Sequence, residues 1–84
     1  MTASISDHAA KRWDQRFGGD GMAAAFTRSE RVPFSRLLHW LVAHRRPPAF
    51  RLECEYRFDA RTRALFVVGA DGRVLTVFRF HPPG

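Results

Sequence analysis

Between residues 50 and 58, apolar and charged side chains alternate without a break, and this feature constrains the fold more than any other. The apolar positions are Phe50, Leu52, Cys54, Tyr56 and Phe58, and every residue between them is Arg or Glu. Successive side chains of a β-strand point to opposite faces. A period of two therefore predicts a strand with one face on a core and the other in water.

Two later segments extend this strand into a meander. Residues 64–68 are apolar on both faces, which indicates a central strand with helices covering one side of it. Asp71 and Gly72 form a hairpin signal that leads into a last strand at residues 74–80. We therefore predict a three-stranded antiparallel β-meander, with Tyr56 pointing into the core.

Helical patterns precede the strands. A first helix, with Ser6 or Asp7 as its candidate N-cap, has one apolar side formed by Ile5, Ala9, Trp13 and Phe17. A second helix is expected at residues 22–28 with Asp20 as its candidate N-cap, and a third at residues 36–46, before two prolines.

These elements define the expected fold class. It is α+β, with N-terminal helices packed on a C-terminal three-stranded antiparallel β-meander. A chain of 84 residues has room for one core, so we expect a single domain over residues 1–84.

The charge of the chain is strongly positive and is carried almost entirely by arginine. The formal net charge is +6, and the only lysine is Lys11. Arginine grips phosphate with a planar fork and stacks on bases, which favours a nucleic-acid partner, RNA first. A GC-rich genome and a solvated surface also explain arginine richness, and composition alone leaves that alternative open.

Several other classes of protein and site are disfavoured. A single cysteine, Cys54, excludes an internal disulfide and a cysteine-built zinc site, and its place in the alternation favours burial. His39 and His44 are expected to be structural, because no further ligands accompany them at metal spacing. Without a signal-peptide pattern or a membrane-spanning stretch, we expect a cytoplasmic protein with no membrane association, metal or cofactor.

His8 and Arg12 are the candidate pair for chemistry on a phosphate. Residues four apart on a helix are neighbours, and these two lie with Gln15 beside the apolar side of the first helix. An imidazole can transfer protons near neutral pH, while a guanidinium stabilises charge on phosphoryl oxygens. The alternative is that His8 is an ordinary first-turn residue and that Arg12 and Arg16 pair with Asp14 and Glu30.

The last strand supplies the remaining candidates. Thr76 is a hydroxyl in an otherwise apolar strand, on the expected face of Val74 and Phe78, where it would bond a phosphate oxygen or orient His8. Threonine is also common in β-strands for structural reasons alone. Arg79 and His81 share a face by alternation and are candidate phosphate contacts.

Two segments resemble a known group. The run Ile5-Ser6-Asp7-His8-Ala9-Ala10-Lys11-Arg12-Trp13-Asp14-Gln15-Arg16-Phe17 resembles the His-Ala-x-x-Arg-x-x-x-Arg opening of small bacterial and phage ribonuclease-toxin-like domains, in the barnase, colicin and RelE-like fold class. Residues 65–68 and 71–77 are similar to the late hairpin of that group, which ends in a Val-x-Thr-Val-like strand.

The resemblance implies a metal-independent endoribonuclease with its cleft between helix and sheet. His8 would be the acid or base, Arg12 and Arg16 the phosphate ligands, Thr76 the hydroxyl of the last strand and Lys11 a lesser phosphate contact. The partners would be RNA and a cognate acidic antitoxin. The Leu- and Trp-rich middle helix has no counterpart, and the fold class often has four or more strands where three are expected here.

Other functions compete with the nuclease. One is a non-catalytic, phage-type inhibitor that blocks a host protein, which an exposed apolar patch at Leu37, Trp40 and Leu41 would favour. Another is RNA or DNA binding by charge alone, with an affinity that falls steeply as salt rises.

Overall fold

The structure, a computed structural model, describes residues 5–43 and 53–81. The elements follow one another as α1 (Asp7–Arg16), α2 (Met22–Arg28), β1 (Glu30–Arg31), α3 (Phe34–Ala43), β2 (Glu55–Asp59), β3 (Ala64–Val68) and β4 (Val74–Arg79). The expected strand residues 50–52 and helix residues 44–46, with His44, lie outside the described ranges. The α+β class is confirmed.

The sheet has four strands, which corrects the expected three. Its order is β1-β2-β3-β4, and every neighbouring pair is antiparallel. The additional strand, β1, lies between α2 and α3, where Glu30 pairs with Phe58. The backbone N–H of Val32 then donates to the carbonyl oxygen of Tyr56 at 2.8 Å. A strand of two residues has no alternation to recognise, so only its pairing reveals it.

Helices cover both faces of the sheet, not one. The first core lies under α1 and α2 and is formed by Ala9, Trp13, Met22, Ala25, Ala64, Phe66, Val68, Val74 and Val77. The second core lies under α3 and is formed by Val32, Leu37, Trp40, Tyr56, Leu65, Val67 and Phe80. All five residues of β3 are buried because both of its faces are covered, which is why the strand is apolar throughout.

Helix α1 begins where its sequence predicts. The Ser6 hydroxyl oxygen accepts a 3.0 Å hydrogen bond from the N–H of Ala9, which satisfies one of the free donors at the start of the helix. Ala9 and Trp13 are buried as expected. Ile5 lies outside the helix, where it forms a parallel bridge with Val74 and remains partly exposed.

The bounds of α2 match the prediction, but its cap differs. Gly21 occupies the N-cap position with a φ of 113°, and no side chain caps the helix, so the proposed role of Asp20 is wrong. The hairpin between β3 and β4 is confirmed: Gly72 adopts a φ of 82°, and Asp71 accepts a 3.0 Å bond from the N–H of Arg73. Both glycines occupy left-handed backbone that other residues rarely adopt.

Candidate nucleic-acid interface

The sequence candidates on α1 lie together on its solvent side. Arg12 donates from Nε to Nε2 of His8 at 3.5 Å and from Nη1 to Oε1 of Gln15 at 2.9 Å. His8, Lys11 and Gln15 are exposed, and Arg12 is half-buried. The helical spacing therefore places the imidazole beside the guanidinium as expected, on an open surface.

Arg16 and Arg79 are engaged with the protein itself. Arg16 donates from Nη1 to the carbonyl oxygen of Val77 at 2.7 Å, and its guanidinium carbon lies 5.4 Å from the ring centroid of Phe78. Arg79 donates from Nη2 to the carbonyl oxygen of Arg16 at 2.8 Å and lies 5.1 Å from the ring centroid of Phe17. These two arginines attach the end of α1 to β4.

Thr76 lies on the other side of the sheet from α1. It pairs with Val67, a member of the second core, so its side chain faces the side covered by α3. The expected shared face with Val74 is wrong, because the register shifts between Val67 and Val68 and Val74 joins the first core. Leu75 is the extra residue of this β-bulge.

The expected constellation is therefore brought together in part. His8 and Arg12 are adjacent and Arg16 is on the same helix, but Thr76 faces the opposite side of the sheet from His8 and Arg12. His81 is exposed and lies beyond the end of β4, after Arg79. The part that His8, Lys11, Arg12 and Gln15 play in contacts with RNA stays a prediction.

A groove of about 640 Å³ lies at the opposite edge of the sheet, beside β1. We call it the β1 groove. Its charged lining consists of four arginines and two carboxylates: Arg28, Arg31, Arg36, Arg61, Glu30 and Asp59. Its apolar lining consists of Val32, Trp40, Phe58 and Ala60. The charged groups leave a positive excess in the groove.

An ion pair between a buried carboxylate and a partly exposed arginine builds one wall of the β1 groove. Arg28, at the end of α2, donates from Nη2 to Oδ2 of Asp59 at 2.9 Å and from Nε to Oδ1 at 3.4 Å. The Asp59 side chain is 4% exposed, and its carboxylate also accepts from the Thr62 hydroxyl at 2.7 Å and from the N–H of Arg61 at 3.4 Å.

These contacts keep Asp59 ionised. Burial raises the pKa of the Asp59 carboxyl, but hydrogen bonds from Arg28, Thr62 and the Arg61 backbone, with the charge of Arg28, outweigh burial and bring the pKa below its usual 3.8. The pair thus fixes the orientation of the Arg28 guanidinium, while the Arg28 side chain as a whole remains 37% exposed.

The other arginines of the groove are less constrained. Arg31 forms an exposed ion pair with Glu55 in which Nε and Oε1 are 3.5 Å apart. Within residues 5–43 and 53–81, the side chains of Arg36 and Arg61 form no ion pair or hydrogen bond. Their guanidinium donors are available to an anion in the groove.

Aromatic rings form the floor of the β1 groove. Trp40 and Phe58 meet edge to face with centroids 5.5 Å apart, and Phe80 supports both from the second core. Leu37 and Trp40 are buried against the sheet, so these two residues form no exposed patch of the kind that would favour an inhibitor, and the side chain of Leu41 lies outside the described residues. Phe34 and Leu38 are the large apolar residues that α3 exposes among those described.

Sequence reasoning missed the β1 groove because its arginines come from four separate places in the chain. They lie at the end of α2, in β1, in α3 and in the turn after β2. One signal was present: the segment 28–31 has an arginine at each end, and Arg36 lies in the first turn of the next element. These arginines come together at one groove only because β1 pairs with β2, and the sequence did not indicate that pairing.

Comparisons with protein-family models, with curated proteins and with solved structures found no match to this chain. Within the described ranges, no helix has the length and apolarity needed to cross a membrane.

Proposed function

We propose that this protein binds RNA through the β1 groove and does so without cleaving it. The observation that carries the proposal is the pair of guanidinium groups of Arg36 and Arg61, which have no partner among the described residues, beside the ion-paired Arg28. These two arginines, next to a third that is held in place, form a set of donors for phosphate oxygens.

The charge of the whole chain supports the same partner. A formal net charge of +6 on 84 residues attracts a polyanion at long range. Contacts to phosphates release the counterions that surround a nucleic acid, so the affinity should fall steeply with salt. The exposed Lys11 and the half-buried Arg12 on α1 add positive charge at the other edge of the sheet.

Binding without cleavage is favoured by the positions of the proposed catalytic groups. Cleavage of RNA without a metal needs a proton acceptor and donor at one phosphate, with a cation to stabilise it. His8 is exposed on α1, Thr76 lies on the opposite face of the sheet, and the described lining of the β1 groove has no histidine.

Binding is tested by the fluorescence anisotropy of a labelled oligoribonucleotide. Each charge-assisted hydrogen bond contributes about 1.5 kcal/mol, so the double variant Arg36→Ala/Arg61→Ala should bind about a hundredfold more weakly. Arg73→Ala is the matched control, because Arg73 is an exposed arginine in the β3–β4 turn, at the other end of the sheet. Equal affinities in all three proteins would place the RNA elsewhere.

Cleavage is tested separately. Incubation of the protein with RNA in excess chelator should leave the RNA intact. Fragments ending in 2′,3′-cyclic phosphate, produced by the unmodified protein and absent with His8→Ala, would establish the nuclease hypothesis and contradict binding without catalysis.

A further inference from the structure

We infer that the β1 groove accepts an unpaired nucleotide of a single RNA strand, with its base on the half-buried ring of Phe58 and its phosphates on Arg36 and Arg61. This inference rests on the proposed function, because it names the form of RNA that the same groove takes. Three features of the groove carry it: its apolar floor, its size and the carboxylate of Glu30.

The apolar floor has no use in binding a duplex. A double helix keeps its bases stacked inside and presents phosphates and sugars to a protein surface. Such a ligand would cover the arginines and leave the half-buried Phe58 and the exposed Ala60 against polar groups or water. An unpaired base brings an apolar face that stacks on aromatic rings, whatever its sequence.

The size of the groove fits one nucleotide. Its volume of about 640 Å³ lies within the range of about 300–1,000 Å³ that is typical of pockets for small ligands. The arginines come from elements on more than one side of this volume: Arg28 ends α2, Arg36 is in α3 and Arg61 follows β2. A base in the centre would therefore have guanidinium groups within reach of the phosphates on either side.

Glu30 is informative because it opposes a ligand made only of phosphates. Its exposed carboxylate lines the groove and repels phosphate. A carboxylate does suit the amino groups on the edge of a base, as it does when it accepts from the N4 amino group of cytosine. In A-form duplex RNA those base edges are paired or lie in a groove that side chains do not reach, whereas an unpaired base exposes them.

The decisive experiment compares two RNAs on the unmodified protein. A single-stranded oligoribonucleotide and a duplex of the same length are titrated at one salt concentration. Base stacking on an aromatic ring contributes enough to make the single strand bind about tenfold more tightly, although the duplex carries more charge. Binding of the duplex as tightly as the single strand, or more tightly, would overturn the inference and leave RNA binding through the arginines standing.

A variant isolates the contribution of the floor. Phe58→Leu keeps an apolar side chain but removes the ring, and it should weaken binding of the single strand about tenfold without changing the affinity for the duplex. Phe78→Leu is the matched control, because Phe78 is also half-buried against the second core but does not line the groove. The same loss in both variants, or no loss in either, would contradict a base on Phe58.

Two further outcomes separate this inference from the proposed function. Failure of both RNAs to bind would refute RNA binding itself, and the inference with it. Polyglutamate that binds as tightly as the single strand and competes with it would show that the groove responds to negative charge alone, which would overturn the assignment of an unpaired nucleotide.

Discussion

The guanidinium of Arg16 donates a 2.7 Å hydrogen bond to the carbonyl oxygen of Val77, on the outer edge of β4. Ser6 occupies the same edge, where its N–H donates to the carbonyl oxygen of Val74 at 3.0 Å and its hydroxyl to that of Leu75 at 3.1 Å. These bonds use acceptors that an edge strand otherwise offers to another chain, so they protect the sheet from edge-to-edge pairing.

Removal of Arg16 should therefore promote self-association. Arg16→Ala frees the Val77 carbonyl oxygen, and we expect the variant to sediment faster than the unmodified protein at the same high concentration, with a loss of about 1 kcal/mol in the free energy of unfolding. Arg12→Ala removes the same charge from the same helix without opening the edge and should behave as the unmodified protein does. Identical sedimentation of Arg16→Ala and Arg12→Ala would contradict this role.

The buried carboxylate of the β1 groove should contribute strongly to stability. Asp59→Asn removes the charge that Arg28 faces at 2.9 Å, and we expect it to lower the free energy of unfolding by about 2 kcal/mol in urea titrations. Asp14→Asn, at an exposed position on α1, should change stability by less than about 0.5 kcal/mol. Equal changes in the free energy of unfolding for the two substitutions would show that the Arg28–Asp59 pair does not stabilise the fold.

The lowered pKa of the same carboxylate should make the stability of the protein depend on pH. The pKa of Asp59 is lower in the folded protein than its usual 3.8, so the folded state is stabilised above that pH and loses the contribution as the pH falls through the folded pKa. The free energy of unfolding should therefore fall less in Asp59→Asn than in the unmodified protein when the pH is lowered from 5 to 3. Parallel curves for the two proteins would contradict the lowered pKa.

Among the aromatic residues, truncation of Phe66 should lower the free energy of unfolding most. Phe66 is fully buried in the first core, between Trp13 at 6.2 Å and Phe26 at 5.3 Å between ring centroids. Phe66→Ala should reduce the free energy of unfolding by about 3–5 kcal/mol in thermal or urea denaturation. Leu38→Ala, at a position that is 42% exposed, should cost under about 1 kcal/mol, and a similar loss in both would contradict the assignment of the core.

The parts of the fold that the sequence predicted correctly depend on local signals. Ser6 caps its helix by accepting from the N–H of Ala9, three residues away, and Asp71 with Gly72 sets a hairpin within a few residues. The edge strand β1 depends instead on Glu30 meeting Phe58, far along the chain. Nothing in its two residues indicates that pairing, and the four-stranded sheet followed only from the structure.

The candidate site shows the same division. The contact between His8 and Arg12 follows from helical spacing, which is a local property. The face of Thr76 depends on the bulge at Leu75, which breaks the alternation that joins Val74 to Thr76. One extra residue in the strand moves the side chains beyond it to the other face. Strict alternation therefore wrongly put Val74 on the face of Thr76, whereas Val74 lies with Val77 in the first core.

The central claim is that Arg36 and Arg61 contact phosphates, and the salt dependence of RNA binding measures this most directly. Each phosphate contact to a single strand contributes about 0.7 to the slope of log K against log salt. The slope for Arg36→Ala/Arg61→Ala should be shallower than that of the unmodified protein by about 1.4, while Arg73→Ala keeps the original slope. An unchanged slope in the double variant, or the same change in Arg73→Ala, would contradict the β1 groove as the site where RNA binds.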